Sequence, residues 1–240
     1  AGHVVDALVR ALRRTDVRTR TPVGRVARTD AGYELCAGDG APLGRFDAVV
    51  LATPAAATAA LLRGLDPDLA ALVAAIPATS TAVAVLAYAR GDLPGVPDGH
   101  GLFVPALERR TVRAVTFVSE KFEGRAPPDA VLVRASVGGA GREEIVDAPD
   151  DEIVRRVRDD LAHLLGWHAP PRLVRVARYE RRIPVYETGH LERVAAIERQ
   201  ARRWPGLALV GHAYRGPGIA GCVAGARRAA TRLVGGDLPR

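Results

Sequence analysis

The apolar positions of the chain fall into blocks of different period. Residues 3–14 place Val5, Leu8, Val9 and Leu12 on one face of a helix. Val17–Arg20, Val23–Thr29 and Gly32–Cys36 then read as short strands, with turns at Pro22, at Asp30-Ala31-Gly32 and from Gly38 to Gly40. The run Asp47–Ala52 has the apolar character of a parallel strand covered on both faces. Thr53-Pro54 caps a helix through Leu62, with Pro at the first helical position, so strand, turn and helix form half of a βαβ unit. Asp66-Pro67-Asp68 caps another helix that turns Leu69, Leu72, Val73 and Ile76 inward.

From Thr79 to Tyr88 the period changes to two, and further β segments follow at Gly101–Val104, Thr111–Ser119, Val131–Val137 and Leu173–Tyr179. Between them Asp150–Leu165 is an amphipathic helix with Ile153, Val157, Leu161 and Leu164 inward and Gly166 at its end. Several mostly antiparallel strands with a helix on one face predict a separate α+β domain over 77–185. The charged run at 141–160 reads as a solvated helix face. A helix from Leu191 to Trp204 leads into the segment with the most chemical content.

That segment opens with the apolar run Leu207–Val210, a buried strand, which Gly211, Gly216, Pro217 and Gly218 then interrupt. From Ala220 to about Leu233 small residues alternate with Arg in a helical pattern, and Ala220, Gly221, Ala224 and Gly225 allow a close approach. A strand, a Gly-rich turn and a small-faced helix start aim backbone N–H groups and a positive dipole end at a ligand. A phosphate suits such a site, as does an electron-rich carbonyl such as the pyrimidine edge of a flavin. The plainer reading is a Gly-rich loop with no ligand.

Composition narrows the classes. The net charge of +7 comes almost wholly from Arg, since Lys121 is the only lysine, and the arginines are scattered with few aromatics between them. That pattern argues against a nucleic-acid footprint, while the surplus favours an acidic small molecule or an anionic membrane surface. Cys36 and Cys222 form neither a disulfide framework nor a metal cluster, so a reducing compartment fits and no metal site is expected. No run approaches the ~20 apolar residues that span a bilayer. Methionine is absent even at position 1, which predicts the C-terminal part of a longer protein. His-Glu-x-x-His, Cys-x-x-Cys, Walker-type and Gly-x-Ser-x-Gly motifs are all missing, which suits an enzyme whose cofactor carries the redox step. No oligomeric state can be read from the residues.

Gly211-x-Ala213-Tyr214-Arg215-Gly216-x-Gly218-Ile219-x-x-Cys222 resembles the C-terminal flavin-binding motif of protoporphyrinogen and coproporphyrinogen oxidases, in the amine-oxidase-like flavoprotein superfamily. Thr21-Pro22-Val23 and Val49-Val50-Leu51-Ala52-Thr53-Pro54-Ala55 resemble the family's second FAD-domain portion. Arg178-Tyr179, Pro184-Val185-Tyr186 and Gly189-His190 resemble its crossing segment, with Tyr179 where Trp is usual and Val185 where Gln is usual. The resemblance implies an α/β, Rossmann-like FAD-binding portion (1–76, middle part; 186–240, return) with an inserted α+β substrate domain on a mostly antiparallel sheet (77–185). It implies FAD contacts at Gly211, His212, Pro217, Gly218 and Ile219, with His212 and Pro217 departing from the family's residues and Pro217 offering no N–H. It also implies a backbone contact from Val23 to the adenine edge, where an ordinary strand valine is the plainer reading. His190 reads as a structural, helix-start histidine. No catalytic or substrate-contacting residue is named.

The implied reaction is FAD-dependent oxidation of a porphyrinogen in heme biosynthesis, with molecular oxygen as final acceptor and hydrogen peroxide as product. The location implied is cytoplasmic, or peripheral at the membrane through a region upstream of this chain. This stretch by itself is expected to be inactive, since the resemblance places the family's main phosphate-binding loop, a strand followed by Gly-x-Gly-x-x-Gly near the N-terminus, upstream of Ala1. The alternatives are another amine oxidase or a carotenoid desaturase, or an incomplete, non-catalytic basic binding module.

Overall fold

The computed structural model describes residues 2–235. In chain order the elements are α1 (Gly2–Ala11), β1 (Val23–Thr29), β2 (Gly32–Ala37), β3 (Pro42–Phe46), β4 (Val49–Leu51), α2 (Ala55–Leu62), α3 (Pro67–Ala74) and β5 (Ala78–Ala89). There follow β6 (Gly101–Phe103), β7 (Val112–Phe117), α4 (Val118–Lys121), β8 (Ala130–Gly138), α5 (Asp150–Leu165), β9 (Leu173–Pro184), α6 (His190–Ala201), β10 (Leu207–Leu209) and α7 (Gly218–Val234). The described residues separate into two compact units: those through Ala75 with those from Leu191 onward, and Ile76–His190. Of the ranges expected from the sequence, residue 1 and residues 236–240 lie outside the described residues.

In the first unit β10 and β4 pair in parallel, Leu207 opposite Val49 and Leu209 opposite Leu51. A three-stranded antiparallel sheet, β1-β2-β3, stands apart from that pair. α3 starts where the sequence indicates, because the Asp66 carboxylate accepts from the Leu69 N–H at 2.9 Å as an N-cap. The same buried carboxylate accepts from the Trp204 indole N–H at 2.7 Å and from the Gln200 amide at 3.0 Å, tying α3 to α6 and its C-terminal turn. Burial pushes the Asp66 carboxyl up, but the donors at Leu69, Trp204 and Gln200 outweigh it and hold the group below its ordinary value.

Several expectations in this unit are corrected. Val17–Arg20 is not a strand: Arg20 takes a left-handed φ of +55°, which no strand continues, and Arg18 pairs with Asp16 at 2.6 Å in solvent. β3 has no strand pattern of its own in the sequence, because Gly44 breaks its alternation; it pairs with β2 through Tyr33–Phe46. β4 is not covered on both faces, for Val50 between buried Val49 and Leu51 is 48% exposed. Pro54 is the N-cap of α2 and not its first helical residue, and it makes no side-chain cap bond; Thr53 instead shares a 2.7 Å hydrogen bond with Thr58. The apolar stripe of α1 buries nothing: Val5, Leu8, Val9 and Leu12 are each at least 46% exposed.

The second unit is a five-stranded antiparallel sheet of order β6-β7-β8-β5-β9, with α5 on one face. Its core combines alternate residues of β5 and β8 (Ala82, Ala84, Leu86; Val131, Val133, Ala135) with Ile153, Val157 and Leu161 of the helix, the period-2 and period-3.6 stripes the sequence contains. Trp167 closes one end: its indole N–H donates to the Gly95 carbonyl at 2.9 Å, and its ring meets Tyr88 edge-on at 5.5 Å. Gly166 ends α5 in a left-handed conformation with φ +68°. Buried Asp160 accepts from the Val112 N–H at 2.8 Å, fixing α5 to the start of β7. Among the described residues no helix is long and apolar enough to cross a membrane.

Candidate functional site

The Gly-rich segment forms the junction between β10 and α7. Two parallel-sheet bonds anchor its entry: the Val49 N–H donates to the Gly206 carbonyl at 2.8 Å, and the Val210 N–H donates to Leu51 at 3.0 Å. Gly211 turns the chain with φ +121°, Gly216 with +113° and Gly218 with +78°, conformations that L side chains rarely adopt. α7 begins at Gly218, two residues earlier than the small-residue pattern suggests. Pro217 is its N-cap, in extended conformation, and supplies no side-chain bond to the first-turn N–H groups.

The helix start lies against the turn itself. A Cβ on Gly221 would come within 2.6 Å of the Gly216 carbonyl oxygen and 2.9 Å of its carbon, so only glycine fits there. By contrast nothing lies within 4 Å of where a Cβ would stand on Gly211 or Gly218, so both present open backbone. Between them Ala213 and Tyr214 are buried, and His212 is half-buried. Burial pushes the Tyr214 hydroxyl up to about 12 against the lowering effect of its hydrogen bond with Thr58 of α2. Pro217, Gly218 and Ile219 face solvent, Ile219 with 61% of its surface.

Beside the turn, α6, β10 and α7 enclose a cleft of ≈ 660 Å³, whose walls include Glu198, Arg202, Tyr214, Arg228 and Arg232. Arg215 grips Glu198 with both ends of its guanidinium, at 2.5 and 2.6 Å. That contact holds the Glu198 carboxyl below its ordinary range, with smaller help from Arg202 and Arg228. The charged wall was not singled out in the sequence, although the signal exists: Glu198/Arg202 and Arg228/Arg232 are i,i+4 pairs on their helices.

The structure brings Gly211, His212, Pro217, Gly218 and Ile219 into one turn, since they are near neighbours in the chain. Val23 stands elsewhere, as the 37% exposed first residue of β1, opposite Ala37 in the antiparallel sheet. α2 lies between the two places, touching β1 and reaching Tyr214 through Thr58. His190 opens α6, buried and stacked on the Tyr186 ring at 4.2 Å, in keeping with a structural role. Among the described residues no group of His, Cys, Asp or Glu could hold a metal ion.

A parallel strand pair leading through a Gly-rich turn into a small-faced helix, in a chain that also holds an antiparallel α+β unit, defines a flavoprotein-type architecture. The chain belongs to the flavin containing amine oxidoreductase family, whose model matches residues 1–234. It is 36% identical over 240 residues to a coproporphyrinogen III oxidase of Propionibacterium freudenreichii, covering 99% of this chain and 44% of the relative. It is 29% identical over 221 residues to the Bacillus subtilis coproporphyrinogen III oxidase, covering 92% of this chain and 46% of that protein. The chain therefore spans about half the length of the curated relatives it matches. Among solved structures, one from Exiguobacterium sp. 255-15, provisionally assigned as a protoporphyrinogen oxidase, superposes with a TM-score of 0.82 at 27% identity. That likeness covers 98% of this chain and 50% of the other. A putrescine oxidase variant shares the fold, with a TM-score of 0.73 at 18% identity over 97% of this chain and 52% of that one.

Proposed function

We propose that this chain forms part of an FAD-dependent oxidase that converts a porphyrinogen, coproporphyrinogen III or protoporphyrinogen IX, to the porphyrin. The observation that carries the reading is the likeness to coproporphyrinogen III oxidases of separate bacteria, which runs over 92–99% of the chain. The geometry of the β10–α7 turn supports the cofactor. Its open glycines, side-chain-uncapped helix start and exposed Ile219 offer backbone donors and a small apolar face, the surface that a flat ring with electron-rich oxygens requires.

In this reading Gly211, His212, Pro217, Gly218 and Ile219 hold the isoalloxazine and ribityl end of FAD, and the Val23 backbone meets its adenine edge. Pro217 has no N–H, so it shapes the turn and donates nothing. The Gly216–Gly221 contact fixes the direction in which the first N–H groups of α7 point. When bound, FAD supplies a two-electron acceptor for hydride from the carbons bridging the pyrrole rings, with molecular oxygen as the proposed final acceptor. The chain's own contribution is to bind, orient and exclude water; no side chain of the turn is assigned a proton transfer.

The test is to supply the complete gene product, under air, with coproporphyrinogen III and separately with protoporphyrinogen IX, and to follow porphyrin fluorescence. Porphyrin formation above the enzyme-free rate with either substrate is expected. Formation at the enzyme-free rate with both would overturn the reading.

A further inference from the structure

The five-stranded sheet has two unlike faces. One is filled by α5 and the core residues Ala82, Ala84, Leu86, Val133 and Ala135. On the other, Arg134 of β8 lies directly opposite Val85 of β5, and Val85 lies directly opposite Arg175 of β9. Residues paired in this way project to the same face, so Arg134 and Arg175 flank Val85 across three adjacent strands. Neighbouring strands lie roughly 4.8 Å apart, which puts the two side-chain origins about 10 Å from each other. The next row on this face is Phe103, Ala114, Ser136, Val83 and Ala177, and beyond Arg134 stands Thr116. Apart from Phe103, 90% exposed at one end, these side chains are small or β-branched, and on the other side of the arginine row stand Leu132, Ala87 and Leu173, so the arginines are set in a weakly polar surface.

Both arginines are exposed, and neither belongs to an ion pair among the described residues. Among the described residues Arg175 donates only to the carbonyl of Val174, at 3.0 Å, and Arg134 to no group. Arg178, three residues beyond Arg175, points the other way, where it serves the Val146 and Ala148 carbonyls and Asp150. The helix-side arginine of β9 is thus structurally committed, and the two on the open face are not. Two unpaired guanidinium forks, set by register about two strands apart on a weakly polar surface, are complementary to a largely apolar molecule that carries carboxylates at its rim.

We infer that Arg134 and Arg175 bind two carboxylates of the tetrapyrrole on this sheet face; the assignment rests on the porphyrinogen reading above. A carboxylate-rich substrate is favoured over its uncharged analogues, and the preference lies in binding, because neither side chain is placed at the reacting carbons.

The complete gene product is compared with Arg134→Gln, Arg175→Gln, the double variant and Arg134→Lys. Coproporphyrinogen III turnover gives KM and kcat, and fluorescence titration gives Kd for coproporphyrin III and for its tetramethyl ester. Each Gln substitution is expected to raise KM and the coproporphyrin Kd by roughly tenfold, with kcat and the ester's Kd unchanged and part of the loss restored by Lys. Wild-type turnover accompanied by unaltered KM and Kd in the double variant would overturn the assignment and leave the porphyrinogen reading standing. Equal weakening of tetraacid and ester would also overturn it, as a general disturbance of the face. Absence of wild-type turnover with both coproporphyrinogen III and protoporphyrinogen IX overturns the porphyrinogen reading and this assignment with it; turnover of protoporphyrinogen IX alone moves the KM comparison to that substrate and its two carboxylates.

Discussion

At the residue scale the turn depends on glycines that look alike in sequence and differ in space. Gly221 is pressed on the Gly216 backbone, whereas the nearest atom to a Cβ on Gly225 is the end of the Arg228 side chain at 3.9 Å. Gly221→Val is therefore expected to cost about 1–3 kcal/mol, because backbone must move. Gly225→Ala is expected to be neutral or to gain up to about 1 kcal/mol through helix propensity. Urea unfolding midpoints of the two variants decide the matter, and equal midpoints would contradict it. Asp66 is the other residue on which much converges. Its pKa is lower in the folded chain than in the unfolded one, so its contribution is present above the unfolded value, about 3.9, and is lost as pH falls through the folded value. Asp66→Asn is expected to lower stability by about 1–3 kcal/mol at pH 7, with the gap to wild type shrinking below about pH 4. A gap that stays constant from pH 7 to pH 3 would show that the carboxylate's charge is not what matters.

At the element scale, hydrophobic periodicity located most helices and strands but did not say which apolar stripes are covered. The stripes of α1 and α5 read alike in the sequence, yet Ile153 is fully buried and Leu8 is 60% exposed. Ile153→Ala is accordingly expected to cost about 2–5 kcal/mol, while Leu8→Asp changes stability by no more than about 0.5 kcal/mol. Thermal unfolding of this chain checks both, and a large loss in Leu8→Asp would mean that α1 is packed. The strand at Val17–Arg20 failed for a reason no period contains: it rests on Arg20, whose backbone is left-handed. β3 is a strand through its pairing with β2, not through any alternation of its own. The charge run on α5 did resolve locally, with Glu152 taken by Arg155 and Arg156, contacts that hold its carboxyl down at about 2.

At the scale of the whole molecule, the parallel sheet among the described residues has only β10 and β4, three residues each, and Val50 in the middle of β4 is half exposed. Parallel strands are ordinarily covered on both faces, so this pair offers little support for a bound dinucleotide. The chain by itself is expected to retain little or no flavin after gel filtration; a stoichiometric flavin absorbance band would refute that. In the complete gene product Gly218→Trp is expected to abolish the yellow colour, since it puts a large side chain on open backbone at φ +78°. Retained colour would remove the cofactor from this turn.

The sequence by itself determined the Asp66 cap, the extent of α5, the alternation of β5 and β8, and the Gly-rich turn between β10 and α7. Each depends on residues within a few positions of one another, where backbone conformation and capping are decided. Only the tertiary structure decided that Gly221 needs to be glycine, that Asp66 is held by Trp204 and Gln200, and that Arg134 and Arg175 share one open face while Arg178 serves the other. The first depends on how the turn folds back on the start of α7, and the others on strand register and on contacts between residues from about 30 to more than 130 positions apart, none of which a hydrophobic period encodes.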